Sequence, residues 1–164
     1  MTTLLREELV ELSALALLNS DLPTYGFVLS GGGQDVRLRE AFPTPEERAQ
    51  ELEMTTVAFG FNIDDGGKLI EMGSDLTEYV HTLIVWTFAT EPRFGRKLAH
   101  AIKHVFRAGQ AEIPLLDFGQ EGNPQIDSLR VDKAQVRHEV NQSPRPWDQY
   151  VWTTTITLTD YFVP

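Results

Sequence analysis

Apolar residues near the N-terminus recur at three- and four-residue spacing. Leu5, Leu9, Leu12 and Ala16 form one stripe, and Leu4, Leu15 and Leu18 widen it, which predicts a helix over about Thr3 to Leu18. Thr2 or Thr3 is placed to cap it, Glu7 and Glu8 suit the positive end of the helix dipole, and Asn19-Ser20-Asp21 followed by Pro23 should end it. Tyr25 to Leu29 reads as a short strand broken by Ser30-Gly31-Gly32-Gly33. Pro43-Thr44-Pro45-Glu46-Glu47-Arg48 has the order of a capped helix start, with Thr44 as N-cap and Glu47 at the third helical position. That helix should be short and end near Glu53.

The pattern then changes to period two. Val57, Phe59, Phe61 and Ile63 alternate, and Asp64-Asp65-Gly66-Gly67 is a hairpin signal from which Lys68 to Met72 should return. In Val80 to Ala89, Val80, Ile84, Trp86 and Phe88 face one way, while Leu83 and Val85 face the other. An apolar load on both sides predicts a central strand. Ile113 to Phe118 and Ile126 to Val140 read as extended. Tyr150 to Val163 alternates most cleanly: Tyr150, Trp152, Ile156, Leu158 and Phe162 on one face, Thr153, Thr155, Thr157 and Thr159 on the other. The predicted fold is α+β, a mostly antiparallel sheet with two main helices packed on one face. No linker or repeat divides the chain, so residues 1–164 are read as one domain: an N-terminal helix and loop region over 1–54, then a sheet plus amphipathic helix over 55–164.

Pro92 to Ala108 is the most informative segment, a helix that Gly109 should stop. Phe94, Leu98, Ala101, Ile102, Val105 and Phe106 fall on one arc. Arg93, Arg96, Lys97, His100, Lys103, His104 and Arg107 fall on the other. Charge gives this arc its meaning. The chain has 14 Lys+Arg against 24 Asp+Glu, a formal charge of −10. Five of those cations and no acid lie between Pro92 and Arg107, leaving nine against 24 elsewhere, a balance of −15. A solvated helix face is one reading. The other is a cationic strip that docks on an acidic surface, of which the nearest is a second copy of the chain. A head-to-tail contact of that kind closes into a ring when the rotation permits. A body this acidic should not coat nucleic acid.

The length of 164 residues suits one domain with a real core, and 41% hydrophobic with 23% charged residues excludes disorder and coiled coil for the whole chain. The absence of cysteine excludes disulfides, thiolate metal sites and cysteine nucleophiles. Arg6, Glu7, Glu8 and Glu11 interrupt the apolar N-terminus, so neither a signal peptide nor a membrane span is expected. Candidate chemistry is sparse. His100 and His104 have metal-ligand spacing on a helix, but surrounding cations would repel a dication. Ser30 to Gly33 lacks the ending of a phosphate loop, and the calcium-loop start at Asn62 meets Gly73 rather than Glu at its twelfth position. No nucleophile elbow occurs, and His81, His100, His104 and His138 have no motif partners. The expectation is no enzyme, no cofactor and no metal. Arg145-Pro146-Trp147 is a proline turn whose Trp147 packs either at the edge of the last strand or on a neighbouring molecule.

An ordered set of features resembles the tail-terminator (tail-completion) proteins of long-tailed bacteriophages and, more loosely, other head–tail neck-ring proteins. These are the strand Tyr79 to Ala89 leading through Thr90-Glu91-Pro92 into the basic helix, then Ile113-Pro114-Leu115-Leu116, then an extended stretch with Val131 and Val136. The Arg145-Pro146-Trp147 turn follows, and the threonine-rich strand ends at Asp160-Tyr161-Phe162. The resemblance covers about residues 55 to 164 and brings no active-site residues. It implies a ring, typically of six subunits, in the virion tail or neck, made in the host cytoplasm. Such a ring caps the tail tube, halts its polymerisation and meets the head connector or stopper protein, with DNA passing through without specific binding and no membrane involved. Under this reading the subunit interface draws on Arg93, Arg96, Lys97, Lys103, Arg107 and Trp147. Lumen acids come from Asp64, Asp65, Glu71, Asp75 and Glu78. Six copies at −10 each carry −60, which would let DNA slide without adhesion. The alternatives are a neck stopper, a tail-tube subunit, or a small enzyme or ligand-binding domain, the last predicting a pocket beside a histidine.

Overall fold

A computed structural model describes residues 3–29, 36–40, 44, 46–47, 56–70, 75–107, 112–140 and 150–163. In chain order these form α1 (Arg6–Asp21), a 3-10 turn (Leu22–Tyr25), β1 (Val36–Arg39), β2 (Thr56–Asp64) and β3 (Lys68–Leu69). They continue with β4 (Thr77–Ala89), α2 (Pro92–Val105), β5 (Glu112–Leu116), β6 (Gln125–Val140) and β7 (Tyr150–Phe162). The sheet order is β1-β2-β4-β7-β6-β5, antiparallel except for the parallel pair β1–β2. The fold is α+β as the patterning predicts, with β4 in the interior and both helices on one face.

Parity along the strands sets that face. Leu83 and Val85 of β4 and Ile156 and Leu158 of β7 are buried beneath the helices, together with Leu129 and Val131 of β6 and Ile113 and Leu115 of β5. The opposite face presents half-buried Val80, Ile84 and Trp86 beside half-buried Thr153, Thr155 and Thr157. Helix α1 touches both β5 and β2, and Leu38 of β1 and Phe118 after β5 line one cleft against its Leu12 and Leu15. The two ends of the sheet therefore meet over one helix, and the sheet curves around α1.

Two β-bulges decide where side chains point. The first corrects the hairpin expected at Asp64 to Gly67. Asp64 pairs with His81, then Lys68 with Glu78 and Leu69 with Thr77. Three residues of one strand oppose two of the other, so β3 carries on in the direction of β2 instead of returning. Asp65 holds the bulge: its Oδ1 accepts from the N–H groups of Gly67 (3.1 Å) and Val80 (3.0 Å). Gly67 has φ of 83°, and an added Cβ would lie 2.6 Å from the Tyr79 ring. Positive φ serves a bulge as well as a turn, which is why the Asp-Gly-Gly signal misleads. The second bulge is at Asp132, where the β6 register slips between Val131 and Lys133. It rephases β6, so that Val131, Ala134, Val136 and His138 all face the helices. The Asp132 carboxylate accepts from Arg130 Nε at 2.8 Å and from the Thr159 hydroxyl.

Other boundaries also move. Helix α1 begins at Arg6 with Leu5 as N-cap, so Thr3 does not cap it, and Thr2 lies outside the described residues; Glu8 reaches back to the Leu5 N–H at 2.7 Å. It runs through Asn19-Ser20-Asp21 because Leu22 continues burial beneath it. Residues 25–29 form no strand: Tyr25 closes the 3-10 turn, Gly26 takes φ of 87°, and Val28 accepts one hydrogen bond from Val36. The short parallel β1 was not anticipated. Thr44 and Glu47 do form the predicted reciprocal cap, Glu47 Oε2 accepting from the Thr44 N–H (2.9 Å) and Thr44 Oγ1 from the Glu47 N–H (3.3 Å). Helix α2 ends at Val105, three residues before the predicted limit.

Candidate functional site

Helix α2 is built for close seating. Glu91 caps its start, the carboxylate accepting from the N–H groups of Arg93 (3.0 Å) and Phe94 (2.7 Å). Leu98, Ala101 and Ile102 are buried, as the arc predicts, and so are Gly95 and Ala99. Gly95 sits against Trp152: a Cβ there would lie 2.4 Å from the indole and 2.6 Å from Ala89 Cβ. The helix thus rests directly on the indole.

The outer half of α2 is the cationic strip. Arg93, Arg96, Lys97 and Arg107 are exposed, and Lys103 is half-buried. Lys97 Nζ lies 5.3 Å above the Phe27 ring, and His104 stacks on Tyr25 with centroids 6.4 Å apart. Among the described residues no carboxylate pairs with Arg93, Arg96 or Lys97. Arg93 lies in the first turn, where the dipole favours acids, Arg96 and Lys97 follow in the next, and α2 has no acid in its first turn. The placement disfavours the fold locally.

Between α2 and the ends of β6 and β7 lies a cleft of about 530 Å³. Arg93, Arg96, His100 and His138 surround it, with Val136 and Trp152 as the apolar floor. His138 stacks on Trp152 at 5.0 Å between centroids, an arrangement the Asp132 bulge makes possible. Burial, reinforced by Arg96, Lys103 and His104, holds the His100 imidazole below the usual histidine range. The cleft can attract and orient an anionic group, and among the described residues no acid lines it to compete for the two guanidiniums.

The interface residue Trp147 lies outside the described residues, as does the candidate lumen acid Glu71. Asp64 is in β2, and nothing is described of its side chain. Asp65 is spent on the bulge, where hydrogen bonds from Val80 and Gly67 keep its carboxyl below the usual range. Asp75 is exposed before β4. Glu78 is half-buried opposite Tyr161, whose phenol it pushes upward, and pairs in register with Lys68. Asp65, Asp75 and Glu78 thus gather at one end of the sheet, with Asp65 serving the backbone there.

A second polar cluster was missed by sequence reasoning. Asp160 is fully buried on the helix side of β7, and Arg6 of α1 forks onto it with Nε–Oδ2 at 2.7 Å and Nη2–Oδ1 at 2.8 Å. Arg6 also reaches Asp127 at 2.7 Å and lies 3.9 Å over the Phe162 ring. Buried His81 sits with Nε2 3.7 Å from Asp160, and its Nδ1 is 3.2 Å from Asn62 Nδ2, which also donates to the Glu7 carbonyl. Burial raises the Asp160 carboxyl, but Arg6 and His81 outweigh it and the net direction is down. None of these groups lines a described cleft, and the cluster works as a latch for α1. The readable signal was Asp160 itself, a charge at inward parity in the strand of Trp152, Ile156 and Leu158.

No protein-family model matches this chain, and no curated protein is significantly similar to it.

Proposed function

We propose that the chain is a structural subunit of a bacteriophage tail, a terminator that forms a ring on the tail tube and joins the tail to the head connector. The observation that carries this reading is the cationic strip of α2 on an otherwise acidic body, in which Arg93, Arg96 and Lys97 pair with no carboxylate among the described residues. Arg93 stands in the first turn, where the helix dipole opposes it, and with Arg96 and Lys97 it makes a run of exposed cations for which an acidic neighbour is the surface that fits. The resemblance noted in the order of strand, basic helix and terminal threonine-rich strand supplies the particular assembly. In this reading the subunit performs no chemistry. It is monomeric or weakly associated alone and closes its ring on the tube tip, with DNA passing an acidic lumen.

Assembly is the test. Particles lacking the protein should carry over-long tails, and Arg93→Glu with Arg96→Glu and Lys97→Glu should reproduce that defect. Tails of normal length and normal attachment in both cases would overturn the proposal. The cleft beside His100 and His138 favours a second reading, a small-ligand binding domain. Retention of a small anion by the purified chain with tails unaffected by its loss would select that reading.

A further inference from the structure

The α2 cleft has a counterpart on the same chain. Glu8 and Glu40 are exposed and Glu11 is half-buried, and Glu40 sits beside α1 in the cleft that Leu12 and Leu15 line. Burial lifts the Glu11 carboxyl above its usual range, and Glu40 and Glu8 add to the shift. Among the described residues none of the three is paired with a cation. One patch is therefore a group of mutually repelling cations and the other a group of mutually repelling acids. The two patches line different clefts and make no ion pair with each other among the described residues. Arg6 fixes the start of α1 at Asp160, whereas the cleft is floored by Trp152, eight residues away on the same strand, about 26 Å at 3.3 Å per residue.

We infer that the α2 cleft receives the Glu8–Glu11–Glu40 flank of a second copy of this chain, head to tail. The inference rests on the ring-subunit reading and names its contact. Two guanidiniums and two imidazoles over an indole floor accept carboxylates, and Arg93 and Arg96 supply forked donors. Two different patches, one per copy, make the contact heterologous, so each copy keeps one of each free for the next. Such a geometry leads to rings rather than closed dimers. Association should weaken with salt, because both patches are exposed.

The test uses two full-length chains with reversed charge. The first carries Arg93→Glu and Arg96→Glu; the second carries Glu11→Lys and Glu40→Lys. Sedimentation at high protein concentration and low ionic strength should show the native chain associating and each variant at least tenfold weaker. An equimolar mixture should recover to within about threefold of native, because each reversed patch then meets its complement. Recovery also demonstrates that both variants fold. A mixture that stays dissociated, with both variants melting like the native chain, overturns the contact. Lys97→Glu with Lys103→Glu, which lie outside the cleft, separates the two claims. If that variant loses association while the mixture fails to recover, α2 still docks but not on this flank. A native chain that never associates and assembles no ring on tail tubes defeats both.

Discussion

The two helices share one face of the sheet and are held there by different physics. Of the sixteen residues of α1, only Glu8, Asn19 and Ser20 are exposed; of the fourteen in α2, six are, and five of those six are Arg or Lys or lie within the cleft. Helix α1 is embraced from both ends of the sheet and latched by a buried ion pair. Helix α2 is seated by small residues on an indole, and on its charged outside Arg93, Arg96 and Lys97 have no carboxylate partner among the described residues. Removing one partner of a buried pair costs far more than altering an exposed charge. The first helix therefore belongs to stability, and on the ring-subunit proposal the second offers its exposed surface to a partner.

The sharpest break of this contrast is Arg6→Ala. It leaves Asp160 charged, buried and facing only His81, and should cost about 3 kcal/mol in denaturant unfolding. Acid sharpens the point. The folded pKa of Asp160 lies below its unfolded value of 3.8, so its contribution is fully present above about pH 4 and fades as pH falls through the folded value. In Arg6→Ala the depression is lost, and the slope of stability against pH below 4 should flatten. A loss of under 1 kcal/mol with an unchanged acid slope would show that packing alone holds α1.

Gly95→Ala probes the seating of α2. Alanine favours helix by about 1 kcal/mol over glycine, but its Cβ would meet Trp152 at 2.4 Å. Overpacking of that kind typically costs 1–3 kcal/mol, so a net loss of about 1 kcal/mol is expected, with a change in the Trp152 environment visible in near-ultraviolet dichroism. A stabilised variant would mean that helix and indole part easily, and the cleft beside them would lose its rigid floor.

The legibility of the two helices differed for the same reason. The periodicity of α2 is plain because polar and apolar residues separate cleanly, and β4 and β7 are plain because period two suits a sheet with distinct faces. Helix α1 is contacted nearly all round, so its sequence shows no strong polar side and its ends were misplaced. The bulges at Asp65-Gly66-Gly67 and Asp132 were not readable, since one inserted residue depends on pairing across the sheet. That hid His138 from the cleft, because simple alternation from Val131 puts His138 on the other face. The Arg6–Asp160 latch joins residues 154 apart, and only the inward parity of Asp160 hinted at it.

The smallest expected effect concerns the outer cations of α2. Arg93→Gln with Lys97→Gln removes two like charges from the half of the helix where the dipole disfavours them. The unfavourable first-turn placement of Arg93 is worth about 0.3–1 kcal/mol at an exposed site in low salt, less when screened, and that of Lys97 in the second turn is smaller. If these residues served the fold, the change would destabilise the monomer. The geometry implies the reverse: a neutral or slightly raised melting temperature, with the difference from the native chain shrinking as salt is added. A fold-directed sequence would put acids in that turn, as α1 does with Glu7 and Glu8. On the ring-subunit proposal, residues that do not serve the monomer, Arg93 in the cleft and Lys97 beside it, are placed for a partner. A clear drop in melting temperature, independent of salt, would return them to the fold and remove the physical ground for treating the two helices differently.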